Sequence, residues 1–436
     1  MDIRRKHNES PQENLLLQEQ SRIFEDYLNY SNPSNITRND TEDILSMERE
    51  EFLKNLKNPC WFKFINTTQG PKKELRCFLF FHIFGVCKSE ATDLFFRLTQ
   101  HPQILNNTGI LNKETQFWSW KRFGQDSPDH RNLTLDEFSS FFRANEIGRT
   151  KIGLNKRNRY SDLITGHADP MDFWDHNHWR EIPQNNPNSS EPKFLKPHLV
   201  RHVQPNIKLI LLLREPAERL YSHYLHGHYC DTPEEFHSAV LKGIELFRTC
   251  LSNNSLKTCL YKSDLSKDMK LLLSASLYYI HLQEWLDVFP RDQFLVLRTE
   301  DYHKDMKSTL LKLFAFLGVG DIYSDVLEHI LKVPQKYETK NKLLQGSMLK
   351  ETWNILTDFF KEPNRKLADI LNDERYLWKD MRFKFRAKQI AKNETEINYI
   401  FKLEGIESIT CSSTRTSVFN TEKYVKRNNK ANYSSL

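Results

Sequence analysis

Two short stretches carry residues suited to gripping an anion. Gly85-Val86-Cys87-Lys88-Ser89-Glu90-Ala91-Thr92 follows an apolar run and precedes Asp93-Leu94-Phe95-Phe96-Arg97-Leu98, where Leu94, Phe95 and Leu98 share one helical face. A strand, a loop and a helix start in that order bring free backbone N–H groups and the positive end of a helix dipole to one point, and Lys88 adds a full charge there. The second stretch is Leu211-Leu212-Leu213-Arg214-Glu215-Pro216-Ala217-Glu218-Arg219-Leu220-Tyr221-Ser222-His223-Tyr224-Leu225. Pro216 suits the first position of a helix whose buried stripe is Ala217, Leu220, Tyr221, Tyr224 and Leu225. Ser222 lies off that stripe, so the Arg214 fork and a hydroxyl can clasp one phosphate together; pairing of Arg214 with Glu218 is the alternative use of that arginine. The loop lacks the pattern GxxxxGK[ST], which argues against an ordinary nucleotide kinase or phosphatase.

Four apolar runs are the strands expected to position these groups: Phe78 to Phe84, Asp162 to Thr165, Lys208 to Leu213 and Gln293 to Leu297. Helical patterns alternate with them from Asn58 to about Lys388, the order of an α/β fold with a parallel sheet flanked by helices. Ligands of such sheets bind beyond the carboxyl ends of the strands, so the polar residues after each run should converge on one crevice. Residues 1–55 read as a polar, stem-like segment in which ILSMEREEFLKNL fits a helix at the edge of the core, 56–388 as the folded domain, and 389–436 as a polar tail.

A hydrophobic content of 39% excludes a wholly disordered chain, and a charged content of 28% argues against an integral membrane core. The longest apolar stretch, Cys77 to Cys87, is too short to span a bilayer, and no signal or transmembrane segment is visible at the N-terminus. The net charge of +6 suits an anionic partner, while the absence of an aromatic RNA-binding motif, a Cys/His finger or a dense basic helix argues against nucleic acid. No Cys or His spacing of the zinc type occurs, so no metal is expected. Asn-x-Ser/Thr sequons run from Asn8 to Asn432, a pattern that hints at a lumenal glycoprotein. Cys250 and Cys259 bracket a polar loop whose closure would stabilise the fold by roughly 2 to 3 kcal/mol; Cys60 and Cys77 are a second candidate pair.

The stretch LLLREPAERLYSHYL closely resembles the 3'-phosphate-binding motif of sulfotransferases that use 3'-phosphoadenosine 5'-phosphosulfate (PAPS), and Gly85 to Thr92 resembles their 5'-phosphosulfate loop more loosely. The likeness continues in order through NPCWF at Asn58, TDLFFRLTQHP at Thr92, KETQFWSWKRFG at Lys113, FWDHNHW at Phe173, QFLVLRTED at Gln293 and FFKEPNRKLADIL at Phe359. It is nearest to the branch of carbohydrate sulfotransferases that places a 6-O-sulfate on N-acetylgalactosamine 4-sulfate of chondroitin and dermatan sulfate, whose cysteines Cys250 and Cys259 also match. The resemblance implies a P-loop-NTPase-like sulfotransferase fold, a sulfated glycosaminoglycan acceptor, PAPS as co-substrate without a metal, and a Golgi-lumen protein. It further implies that Lys88, Ser89 and Thr92 hold the 5'-phosphosulfate, that Arg214 and Ser222 hold the 3'-phosphate, and that Glu114 is the general base with Lys88 as the catalytic cation. Sulfuryl transfer needs both roles, because the acceptor hydroxyl loses a proton as charge builds on the departing phosphate.

The chain departs from the family pattern at Cys87, Glu90 and Ala91, and again at His167 and Asp169. Glycine is the family's residue at position 90; a carboxylate about 4 Å from a phosphate opposes its binding by roughly 4 kcal/mol at an effective dielectric of about 20, nearly a thousandfold in affinity. Two altered loops facing one crevice give a second reading, a non-catalytic member of the fold that binds an anionic glycan or a partner.

Overall fold

Alternation of buried side chains on five strands decides the architecture. The computed structural model describes residues 41–381 apart from 126–130, 150–159, 228–231, 263–264, 266–268, 270 and 335–345. The expected stem up to residue 40 and the tail after 388 lie outside the described residues. Strands β3 (Phe81–Gly85), β4 (Ile104–Leu105), β5 (Ile164–Asp169), β6 (Lys208–Leu213) and β7 (Phe294–Arg298) form a parallel sheet in the order β4-β5-β3-β6-β7. A preceding hairpin pairs β1 (Cys60–Thr67) with β2 (Gly70–Cys77).

Both faces of the sheet are covered, which is why KLILLL reads as an unbroken apolar run rather than an alternating one. Leu209, Leu211 and Leu213 of β6 join Phe84 and Phe294 in one core, beside the helices Lys196–Val203 and Tyr278–Leu286. Ile210 and Leu212 join Phe81, Ile83, Leu295 and Leu297 in the other, under the helices Ala91–Leu98, Met306–Leu317 and Ser324–Lys332. A third apolar cluster holds Ala217, Leu220, Tyr221, Tyr224 and Leu225 of the helix Pro216–Gly227 against the helices Pro233–Asn253 and Lys350–Leu371. The stripe read from the sequence is the one that is buried.

Three differences from the sequence reading have physical causes. ILSMEREEFLKNL forms one short 3-10 turn, Ile44–Ser46, and otherwise runs without helix. Ile44 is buried in the first core, the Glu42 carboxylate accepts the Leu135 N–H at 2.6 Å and His202 Nε2 lies 2.8 Å from the Met47 carbonyl, so contacts to distant elements replace helical ones. The third strand extends to Asp169, which draws Gly166, His167 and Asp169 out of the expected loop and into the sheet. The β1–β2 hairpin went unread: its strands alternate only weakly, with Phe62 and Phe64 exposed. Disulfides join Cys60 to Cys77 at the open end of that hairpin, where the two residues are register partners, and Cys250 to Cys259.

Candidate active site

The loop after β3 is shaped by two residues in the left-handed region, Lys88 at φ 71° and Glu90 at φ 69°. Between them Ser89 is buried, and its Oγ has no hydrogen-bond partner among the described residues. Left-handed residues next to a helix start turn successive backbone N–H groups toward one side, the arrangement that cradles anions. Glu90 is the N-cap of Ala91–Leu98 and gives it no side-chain cap, so the first amides of that helix are not taken up by the capping residue. The acidic residue in the first turn, Asp93, is occupied elsewhere: it accepts from Arg97 Nε at 2.8 Å and from the Tyr302 hydroxyl at 2.5 Å. Thr92 is half-buried in the same turn. Gly85 ends β3 where a Cβ would meet the Leu212 carbonyl at 2.9 Å, so glycine lets the loop start hard against β6.

Arg214 follows β6 and reaches across to that loop. Its Nη1 donates to the Lys88 carbonyl at 3.0 Å, its Nη2 to Glu218 Oε2 at 3.3 Å, and its own carbonyl accepts from the Tyr278 hydroxyl at 2.9 Å. The Glu218 partner foreseen as an alternative is therefore present together with the loop contact. Glu218, Ser222 and His226 recur at four-residue intervals and share one helix face. Ser222 is buried, and Lys88 together with burial pushes the His226 imidazole down to about 3, so the lysine stands close to that face. Lys88, Ser89 and Arg214 thus come together at the adjacent carboxyl ends of β3 and β6, and Ser222 lies two turns along the helix that follows Arg214.

Glu114 lies on a third segment, bound side by side with β5. Its carboxylate pairs with the Lys113 ammonium, and both are buried. Burial pushes Lys113 down to about 7 against the opposing pull of Asp169 and Cys87. Three hydrogen bonds stitch the segment to the strand: Ala168 N–H to the Lys113 carbonyl at 2.8 Å, Thr115 N–H to His167 Nε2 at 2.9 Å, and Gln116 N–H to Asp169 Oδ2 at 3.0 Å. Farther along, Ser119 donates to Asp172 at 2.5 Å and Trp120 to Asp175 at 2.9 Å. These contacts interlock KETQFWSW with FWDHNHW and explain in packing terms why both runs are needed.

A model of the family described as "Sulfotransferase domain" matches residues 115–361. Carbohydrate sulfotransferase 15 of Homo sapiens is 31% identical over 384 residues, covering 77% of this chain and 67% of that protein. The same protein of Mus musculus is 33% identical over 324 residues, 72% of this chain and 57% of its own length. The chain belongs to the carbohydrate sulfotransferase family. A bacterial sulfotransferase structure from Alicyclobacillus acidocaldarius is 18% identical, with 68% of this chain and 97% of that one aligned at a TM-score of 0.41.

Several features of this region were not legible in the sequence. Arg219 is fully buried, donating from Nε to the Ser276 hydroxyl at 2.7 Å and from Nη2 to the Leu272 carbonyl at 2.8 Å, while its Nη1 has no partner among the described residues. Its position within the helical motif gave no sign that it would turn inward. Cys87 is a free thiol packed 3.5 Å from the Met171 sulfur, and burial pushes it up to about 11, which disfavours the thiolate. Beyond β5, His82, His167 and Asp172 cluster with their nearest nitrogen and oxygen atoms within 4.8 Å of one another, a spacing a divalent ion could bridge. His167 Nε2, however, accepts the Thr115 N–H, so the ring proton sits on Nδ1 and an N–H rather than a lone pair faces the carboxylate.

Glu215, between Arg214 and the helix, yields a pH prediction. Burial pushes its carboxyl from 4.5 up to about 7, although it accepts the Glu218 N–H at 2.7 Å. The folded state then holds a proton that the unfolded chain releases near 4.5, so the group's stabilisation is fully present below about 4.5 and is lost as the pH rises through about 7. The loss amounts to about 3 kcal/mol. Glu215→Gln, which keeps an acceptor for the helix amide, should remove that part of the stability decline in denaturation curves taken from pH 4.5 to 8.

Proposed function

We propose that this protein transfers a sulfuryl group from PAPS to a hydroxyl of a galactosamine-containing glycosaminoglycan. The observation that carries the reading is the Arg214 hydrogen bond to the Lys88 carbonyl, which fixes two anion-binding elements at neighbouring strand ends. The 5'-phosphosulfate would lie on the loop amides with Lys88, Ser89 and Thr92, and the 3'-phosphate against Arg214 and Ser222. In the transfer, the acceptor oxygen bonds to sulfur as its proton passes to the Glu114 carboxylate. The bond from sulfur to the 5'-phosphate oxygen breaks, and the charge left on that oxygen is met by Lys88. No step requires a metal.

The acceptor class rests on the resemblance to the chondroitin and dermatan sulfate branch, and the net charge of +6 agrees with a polyanionic partner. Residence in the Golgi lumen is supported by the two disulfides and by sequons at Asn66, Asn188 and Asn253, all exposed as glycan acceptors must be. No helix among the described residues is long and apolar enough to cross a membrane. We take 56–388 as the catalytic domain, with residues 41–55 packed on it. Glu90 favours a second reading, a non-catalytic relative whose phosphosulfate loop has closed to anions. Calorimetric titration of adenosine 3',5'-bisphosphate into the whole protein tests the first: micromolar binding is expected, with Arg214→Ala weakening it on the order of tenfold or more. Absence of binding in folded protein sinks the reading.

A further inference from the structure

His167 and Asp169, the second pair of departures from the family pattern, both sit in β5 with side chains on the face that carries His82 and Phe84. Neither is available to an acceptor or a nucleotide: His167 is 0% and Asp169 0% exposed. Their polar atoms are engaged by the backbone of the segment that carries Glu114. His167 Nε2 takes the Thr115 N–H at 2.9 Å and also lies 2.9 Å from Thr115 Oγ1; Asp169 Oδ2 takes the next amide, of Gln116, at 3.0 Å, and its Oδ1 takes the Met171 N–H at 3.0 Å. Gln116 holds φ 55°, a left-handed conformation that a side chain adopts only when its surroundings enforce it.

On its other side the imidazole faces Asp172. Because Nε2 is the acceptor, Nδ1 carries the proton, and that N–H stands 3.9 Å from Asp172 Oδ2, too far for a hydrogen bond. The other oxygen, Oδ1, is held by the Ser119 hydroxyl at 2.5 Å and faces the Lys196 ammonium at 3.8 Å. His82 Nε2 approaches Oδ2 at 3.4 Å from the neighbouring strand, where it is the register partner of His167.

We propose that His167 is a positioning residue: acting with Asp169, it holds two consecutive backbone amides after Glu114 and so aims that carboxylate. The inference rests on the reading of Glu114 as general base. It also changes the meaning of the departures, since His167 and Asp169 supply a private anchor for the base rather than marking a decayed acceptor loop.

His167→Leu removes the acceptor with little change of volume, whereas His167→Gln returns a carbonyl oxygen at the reach of Nε2. Assayed for sulfate transfer from PAPS to chondroitin sulfate, the leucine variant should lose kcat on the order of 10²-fold, the scale expected when a catalytic group is misplaced by about 1 Å. Its affinity for adenosine 3',5'-bisphosphate should be unchanged, and the glutamine variant should recover to within several-fold of the parent. Amide hydrogen exchange of residues 113–117 should rise in the leucine variant alone. That measurement needs no turnover, so it still tests the anchor if sulfate transfer is never observed; failure of the catalytic reading would appear instead as absent nucleotide binding in the parent. Equal exchange in parent and leucine variant overturns the proposal, as does a glutamine variant as impaired as the leucine one. One equivalent of zinc in the purified parent, lost in His82→Ala, would likewise overturn it and make the cluster a metal site. Should His167→Leu fail to fold, His167→Asn, whose carbonyl falls short of the Thr115 amide, takes its place with the same expected results.

Discussion

Glu90→Gly raises the affinity for adenosine 3',5'-bisphosphate, by tenfold at least and by up to about a thousandfold if the carboxylate now stands near 4 Å from the 5'-phosphate. Removal of the charge ends a repulsion inside a loop whose other features, a lysine, a buried hydroxyl and an uncapped helix start, all favour an anion. The backbone at Glu90 is already at φ 69°, where a side chain costs about 1–2 kcal/mol and glycine nothing, so the loop geometry is retained and relieved. One contact moderates the gain: Glu90 Oε1 lies 4.0 Å from His303 Nε2. Calorimetry on parent and variant decides between the two readings of this protein. A large gain means that the natural loop is partly closed, and the non-catalytic reading advances. Equal micromolar affinities mean that His303 holds the carboxylate aside and that the parent loop is competent. Ala91→Thr adds little to this contrast, because Ala91 is a buried member of the core beneath the helix and its methyl group points into packing rather than toward the loop.

How far the sequence revealed the molecule depended on how local each signal was. The strand KLILLL, the helix entered at Pro216 and its buried stripe were legible because period and capping are properties of adjacent residues. Lys88 and Arg214 could be singled out for the same reason, each being a polar residue after an apolar run. What escaped was set by contacts between distant residues. His167 and Asp169 read as a loop because Gly166 and Pro170 flank them, yet pairing with Phe81 to Phe84 extends the strand to Asp169. The ILSMEREEFLKNL segment has a helical pattern, and the burial of Ile44 together with the contact of Met47 to the distant His202 overrides it. Arg219 could not be told from a surface residue of its helix, since its partners Ser276 and Leu272 lie more than 50 residues away.

Glu114→Gln should abolish most turnover while leaving nucleotide binding intact. If Glu114 accepts the acceptor proton, its loss lowers kcat on the order of 10²- to 10⁴-fold. Affinity for adenosine 3',5'-bisphosphate should stay within about twofold, because Glu114 sits on the segment beside β5 and not on the loop after β3. The variant must fold for this to be informative, and the environment of Lys113 says that it will. Removing one partner of a buried ion pair ordinarily destabilises by about 3–5 kcal/mol, since the other charge is stranded. Here burial has already pushed Lys113 down to about 7, so above that pH the amine is largely neutral and no charge is stranded. The sign follows: a lysine depressed on folding contributes stability that is present above its unfolded value near 10.5 and is lost as the pH falls through about 7. Without the carboxylate the depression deepens, so melting curves of the variant should approach the parent's at pH 8 and fall increasingly below them as the pH drops under 7. Full turnover in Glu114→Gln would remove Glu114 as the base and return its pairing with Lys113 to a structural role. Lost turnover with retained binding at pH 8, where folding is least disturbed, assigns the proton to this carboxylate rather than to a collapse of the site.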